Sequence, residues 1–306
     1  KEIEKETNSK FLDIEFCIDS KENIFILQVR PLIVKNLSPK NNQIYKKINS
    51  IKNKINKNSI NKKDTFGNQS IYSDMADWNP SEMIGNFPKK LSQDLYSYLI
   101  TNNTWSKSRE FLGYKNIQFN LMTIFENKPY IDLRLSLGSF IPKKLNNKTA
   151  NKIVNIQLKL IEENSRLHNK IESDVSIPSL DLNFNLKVQK YKSLGLSKNE
   201  INLFYNSIRD LTESILLDKN KCIEEVFLQT RKLHIIRKNY ESDTSYIRDL
   251  LRRCKKYGTY SFAIIARHAF IGSELLKSLL SKKLINENDY ENFYNSIETV
   301  TSTTLR

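Results

Sequence analysis

A β-rich, mostly apolar run extends from Ile24 to Val29, and before it, from Leu12 to Ile18, apolar and polar residues alternate. That is the period of two that a half-buried strand requires. The intervening SKEN (Ser20 to Asn23) is a turn signal, so the two runs predict an antiparallel hairpin. Centring the turn there places Ile14 opposite Val29, Phe16 opposite Leu27 and Ile18 opposite Phe25, a uniformly apolar face. The other face then holds Asp13 opposite Arg30 and Glu15 opposite Gln28.

A different period follows. In Asn41 to Lys63, Ile44, Ile48, Ile51 and Ile55 form one narrow helical stripe among Lys and Asn, the pattern of a solvated helix lying on a domain. DTFGNQS (Asp64 to Ser70) reads as loop. Asn79, Pro80 and Glu82 suit the cap, first turn and capping box of a short helix that Gly85 can stop. Leu91 to Phe111 is helical, with a break near Thr101 to Asn103. Leu121 to Phe125 and Tyr130 to Leu137 predict a second hairpin turned by ENKP. Asp132 and Arg134 would share one side of its second strand, as a structural ion pair or as part of a polar pocket.

Asn147 to Glu172 reads as one long amphipathic helix, and the alternation from Leu180 to Leu186 as a strand. Ser197 with Glu200 opens a helix to about Leu217, and Lys219 to Asn239 continues helical. Ser245 to Tyr257 ends in cations followed by Gly258, the expected helix C-terminus. Tyr260 to Leu280 is apolar around most of its circumference and predicts a buried helix. Asn286 with Asp289 starts a last helix to about Val300. The fold class is α+β and predominantly helical. Its expected parts are residues 1–35, a terminal hairpin; 36–70, a Lys/Asn-rich helix and linker; and 71–306, a helix-rich domain with short strands.

Composition narrows the partners. With only 7 glycines and 7 prolines among 306 residues, long helical elements are favoured over tight turns. No apolar run is long enough for a membrane span, so no membrane partner is expected. Cys17, Cys222 and Cys254 are unclustered and lack metal-ligand spacing, which suits reduced thiols in the cytoplasm. The net charge of +15 comes from Lys accompanied by Asn and Ile. No nucleic-acid motif accompanies it, so nucleic acid is not expected as a partner. Trp78 and Asp77 lie outside the capping pattern; a packed Trp is favoured over a pocket wall. His268, inside the most apolar helix, reads as a core histidine.

The polar hairpin face admits two readings. One is a surface ion pair beside a polar pair. The other is a nucleotide–metal site, because Mg²⁺ takes carboxylate and amide oxygens and a guanidinium matches phosphate. Spacing leaves both open. DIEFCID followed by ILQVRP, however, resembles the last hairpin of the ATP-grasp domain in the phosphoenolpyruvate synthase and pyruvate phosphate dikinase family. The resemblance implies that Glu15 and Gln28 help hold Mg²⁺, that Arg30 contacts ATP phosphates and that Asp13 is a supporting acid. SDMADWNPSEMIG, KPYIDLRLSLGSFIP and FAIIARHAFIGSELLKSLL resemble the helical connector that follows that domain in bacterial phosphoenolpyruvate synthase-like proteins.

The resemblance implies an ATP-dependent phosphotransferase that phosphorylates a mobile histidine and then pyruvate or another acceptor. The chain opens on Lys1, and RLHNK, KLHII and ARHAF do not resemble the family's phosphohistidine loop. An internal piece of a larger enzyme, inactive by itself and without catalytic residues of its own, is therefore expected. The alternatives are a non-catalytic helical binding or scaffold module and a basic RNA-associated module.

Overall fold

The computed structural model describes residues 2–8, 11–31, 41–59, 65–219, 221–233 and 242–297. Its contacts divide the chain into residues 1–50 and 51–306.

The first unit holds helix α1 (Glu2–Glu6) and an antiparallel hairpin of β1 (Leu12–Ile18) and β2 (Ile24–Pro31). The turn is one residue tighter than SKEN implied. Asp19 and Asn23 close it, the N–H of Glu22 donates to the Asp19 carbonyl, and Glu22 takes a left-handed φ of 65°. This is the common three-residue hairpin loop. The Asp19 carboxylate accepts from the side chain of Asn23 (2.9 Å) and the backbone N–H groups of Asn23 and Lys21 (both 2.8 Å), which hold its pKa below the ordinary value.

Near the turn, therefore, Ile18 pairs with Ile24 and Phe16 with Ile26, not with Phe25 and Leu27. A bulge beside Glu15 and Phe16 absorbs one residue and resets the register. Beyond it the expected pairs Glu15–Gln28, Ile14–Val29 and Asp13–Arg30 all form.

Helix α2 (Asn41–Ser59) forms on its isoleucine stripe. Ile44 and Ile48 stay exposed, whereas Ile51 and Ile55 are half-buried. Lys54 donates from Nζ to the Ile124 carbonyl (2.6 Å) and sits over the Phe125 ring. Residues 32–35 of the expected terminal part and 36–40 and 60–64 of the expected helix and linker lie outside the described residues.

The second unit is mostly helical around one apolar core. It contains β3 (Tyr72–Ser73), α3 (Pro80–Ile84), α4 (Lys90–Tyr96), α5 (Thr104–Phe111), β4 (Met122–Phe125), β5 (Lys128–Asp132) and α6 (Leu133–Gly138). Then follow α7 (Asn147–Glu163), α8 (Phe184–Ser193), α9 (Lys198–Leu216), α10 (Cys222–Leu233), α11 (Asp243–Arg253), α12 (Tyr260–Ser281) and α13 (Glu287–Ser296). β5 lies between β3 and β4 in a small antiparallel sheet. Trp105, Tyr114, Leu133, Leu137, Phe140 and Ile153 are among the side chains that fill the core. The break expected near Thr101 is a π-helical turn, Ser97–Thr101, ending at Asn103 with φ 71°.

Several expectations are corrected. The strand expected from Tyr130 to Leu137 stops at Asp132. The Asp132 carboxylate accepts from the Arg134 N–H (3.0 Å) and caps α6. Every residue of α6 is buried, so its alternation of Leu with polar residues does not mark one wet face and one dry face. Asp132 and Arg134 are both buried, and burial raises the Asp132 pKa against the opposing pull of Arg134.

The strand expected at Leu180 to Leu186 is a turn followed by α8. Asp181 accepts from the Asn183 N–H, and Leu182 and Leu186 face solvent. The long helix expected to Glu172 ends at Glu163, where Asn164 turns the chain into a 3₁₀ turn; a π turn follows at Ile171–Val175.

Gly258 does not end a helix. A π-helical stretch, Cys254–Thr259, carries α11 directly into α12. Arg253 instead turns inward and donates to the carbonyls of Lys232 and Leu233 at the end of α10. α12 buries Ala263, Ile264, Arg267 and Ile271 but exposes Phe262, Ile265 and Phe270, so only one side of it belongs to the core. Residues 220, 234–239 and 298–300 of two expected helices lie outside the described residues.

The capping box of α9 forms as read. Ser197 Oγ accepts from the Glu200 N–H (3.3 Å), and Glu200 Oε2 accepts from the Ser197 N–H (2.8 Å) and from Lys152 Nζ (2.7 Å). Lys152 first, then Ser197, holds the Glu200 pKa down to about 2, from an ordinary 4.5. A folded pKa below the unfolded one adds stability that is complete above the unfolded value and lost as pH falls through the folded value. Glu200→Gln is expected to melt below the parent chain at pH 7. The gap should close between about pH 4.5 and about pH 2 in a calorimetric pH series. A gap unchanged across that window would refute the assignment.

Candidate functional site

The hairpin brings Asp13, Glu15, Gln28 and Arg30 to one face, as the alternation requires. Arg30 organises it. Its Nη2 lies 2.5 Å from Glu15 Oε1, and its Nε lies 3.6 Å from Asp13 Oδ2. All three side chains are about half exposed. Glu15 and Gln28 are cross-strand partners, so a carboxylate and an amide carbonyl can converge on one cation. The donor set fits Mg²⁺: hard oxygens on adjacent strands, open to a ligand that brings its own oxygens. Behind this face Phe16, Ile18, Ile24, Ile26 and Leu27 are each roughly half exposed.

In the second unit, three motif segments meet at a buried ionic network. Asp77, held at φ 51°, accepts from Arg109 Nη2 at both carboxylate oxygens (2.8 and 3.0 Å) and from Ser136 Oγ (2.6 Å). Arg109 Nη1 donates to Ser139 Oγ (2.5 Å). Glu172 lies 3.9 Å from Arg109 and 2.5 Å from Arg267. Both guanidiniums also face the Phe140 ring, Arg109 at 4.1 Å and Arg267 at 5.2 Å. Two acids balance two bases, so the network offers no net charge to a ligand. It ties the loop before α3 to α5, α6, the Ile171–Val175 turn and α12.

Asp77 was left open by the sequence and is the hub of this network. Trp78 is partly buried against the core and leans on Phe262 at 6.0 Å. Arg109 and Glu172 were missed. The available signal was Arg109 among small and aromatic residues in TWSKSREF, where a cation needs a buried partner.

His268 donates from Nδ1 to the Ile264 carbonyl (2.8 Å). The ligating atoms of Asp218, Cys222 and His268 lie within 4.8 Å of one another. Asp218 already accepts from the Cys222 and Ile223 N–H groups and so caps α10. Burial, then Asp218, pushes the Cys222 thiol up to about 11 and keeps it protonated. The cluster is a helix cap with a buried thiol beside it.

Comparison with family models, with curated proteins and with solved structures finds no match to this chain.

Proposed function

We propose that the β1–β2 hairpin supplies metal and phosphate contacts to an ATP site in a phosphoenolpyruvate synthase-like phosphotransferase. The observation that carries this reading is the convergence of Glu15, Gln28, Asp13 and Arg30 on one hairpin face. Without ligand, the Arg30 guanidinium neutralises Glu15 and Asp13. With Mg²⁺·ATP, the cation would take over the acids and the triphosphate would take the guanidinium. Glu15 and Gln28 would hold the metal, which supplies charge neutralisation of the phosphates. Arg30 would orient the phosphates for transfer.

The exposed apolar side of the hairpin supports the same reading. A two-stranded hairpin is marginal alone and needs a hydrophobic face covered by further structure. In the proposed enzyme the rest of an ATP-grasp domain would cover it, and a mobile histidine outside these residues would accept the phosphoryl group before pyruvate or another acceptor.

The 306-residue chain incubated with labelled ATP and Mg²⁺ is therefore expected to take no stoichiometric label on His168, His234 or His268. The whole protein under the same conditions should form an acid-labile phosphohistidine. Labelling of any of those three residues would overturn the division of roles. Absence of ATP-dependent histidine phosphorylation in the whole protein would overturn the function.

A further inference from the structure

A cavity of about 720 Å³ opens among α5, α10, α11 and α12, a volume suited to a small organic ligand. Two π-helical turns border it. Ser97–Thr101 contributes Tyr98, and Cys254–Thr259 contributes Lys255 and Lys256. Single π turns inside helices recur at functional sites, because they re-aim side chains at the expense of regular hydrogen bonding.

One end of the cavity is built for an anion. The first turn of α5 opens there through Asn103 and Thr104, and Asn103 does not cap it with its side chain. The free N–H groups and the helix dipole of such a turn attract negative charge. Thr104 is 3% exposed and its hydroxyl has no partner. Lys107 follows one turn later, and Lys255 reaches in from the facing π turn with Nζ 3.0 Å from the Asn102 carbonyl. Among the described residues, no carboxylate lies within ion-pair distance of Lys107, Lys255 or Lys256. Lys107 and Lys255 both line the cavity, with Lys255 Nζ 4.6 Å from the centre of the Tyr98 ring, and burial, then repulsion by Lys107, lowers the Lys255 pKa.

The rest of the lining combines the rings of Phe111 and Tyr260 with the carboxylates of Glu110 and Glu225. Phe111 lies seven positions after Thr104, on the same face of α5 and about 10 Å away. Its ring packs beside Tyr260 at 6.2 Å. Burial, then Glu225, pushes the Tyr260 phenol up to about 12, so the phenol stays protonated.

We propose that this cavity binds a phosphomonoester with a flat, ring-shaped body. The phosphate sits at the first turn of α5 between Lys107 and Lys255, and the ring lies against Phe111 and Tyr260. The assignment is independent of the hairpin and of ATP.

The test is calorimetric titration of the 306-residue chain with 1-naphthyl phosphate, inorganic phosphate and 1-naphthol. One saturable site per chain is expected for 1-naphthyl phosphate, with both fragments weaker by at least about tenfold. The Lys107→Gln/Lys255→Gln double variant should lose about a hundredfold in affinity, at about tenfold per charged contact. In the unaltered chain, the ligand should shield Lys107 and Lys255 from acetylation, read by mass spectrometry. No saturable binding, or binding and shielding indifferent to these two lysines, would overturn the site. Equal affinity for inorganic phosphate would overturn the ring half, and equal affinity for 1-naphthol the phosphate half.

Discussion

Arg109→Met is expected to destabilise the second unit by about 3–5 kcal/mol, the cost of leaving a buried partner charge uncompensated. The side chains of Arg109 and Asp77 are 9% and 4% exposed, and Asp77 would keep only Ser136. Shedding the charge by protonation or admitting water are the remaining ways to accommodate it, and both disturb the packing around Phe140. For a unit of this size, melting should fall by about 10 °C, measured by circular dichroism. Adding Asp77→Asn to Arg109→Met should restore part of the loss, because the stranded charge is gone. The exposed Lys90–Asp94 pair is the contrast, where Asp94→Asn should cost no more than about 1 kcal/mol. A loss that small for Arg109→Met would mean that the network is solvated.

The second large effect is on chemistry. In the whole protein, Arg30→Ala is expected to slow phosphoryl transfer from ATP by roughly 10² to 10³, equivalent to about 2–4 kcal/mol of lost charge stabilisation. Arg30 is half exposed and next to Pro31 at the strand end, so its removal leaves no cavity. If it served only as a surface partner of Glu15 and Asp13, its loss would cost about 0–1 kcal/mol of stability and leave turnover near normal. Steady-state phosphorylation rates and melting curves on the same variant separate the two.

The polar hairpin face was legible because its evidence is local: two strands, one turn and a fixed period. The reading survived an error in the turn, since the bulge near Glu15 cancelled the missing loop residue before Asp13, Glu15, Gln28 and Arg30 were reached. The capping boxes at Ser197 and Asn286 were legible for the same reason. α6 was not. Leu133 to Gly138 alternates like a strand, yet it is buried on every side, and the Asp132 cap decided in favour of a helix. Alternation informs only where one face meets water. Gly258 likewise resembled a stop, but a π turn lets the chain pass through it. The Asp77–Arg109–Glu172–Arg267 network joins residues far apart in sequence, and no local pattern reports such a meeting. The cavity beside α5 depends in the same way on two π turns converging.

The most direct measurement is the Mg²⁺ dependence of phosphohistidine formation from ATP in the whole protein carrying Glu15→Gln. The substitution keeps the side chain's size and removes its charge. The expected result is a Mg²⁺ requirement raised by about tenfold or more, with unchanged melting, as follows from losing a charged metal ligand. A Mg²⁺ titration curve and a phosphorylation rate both superimposable on those of the unaltered protein would contradict the assignment of this hairpin to the ATP site.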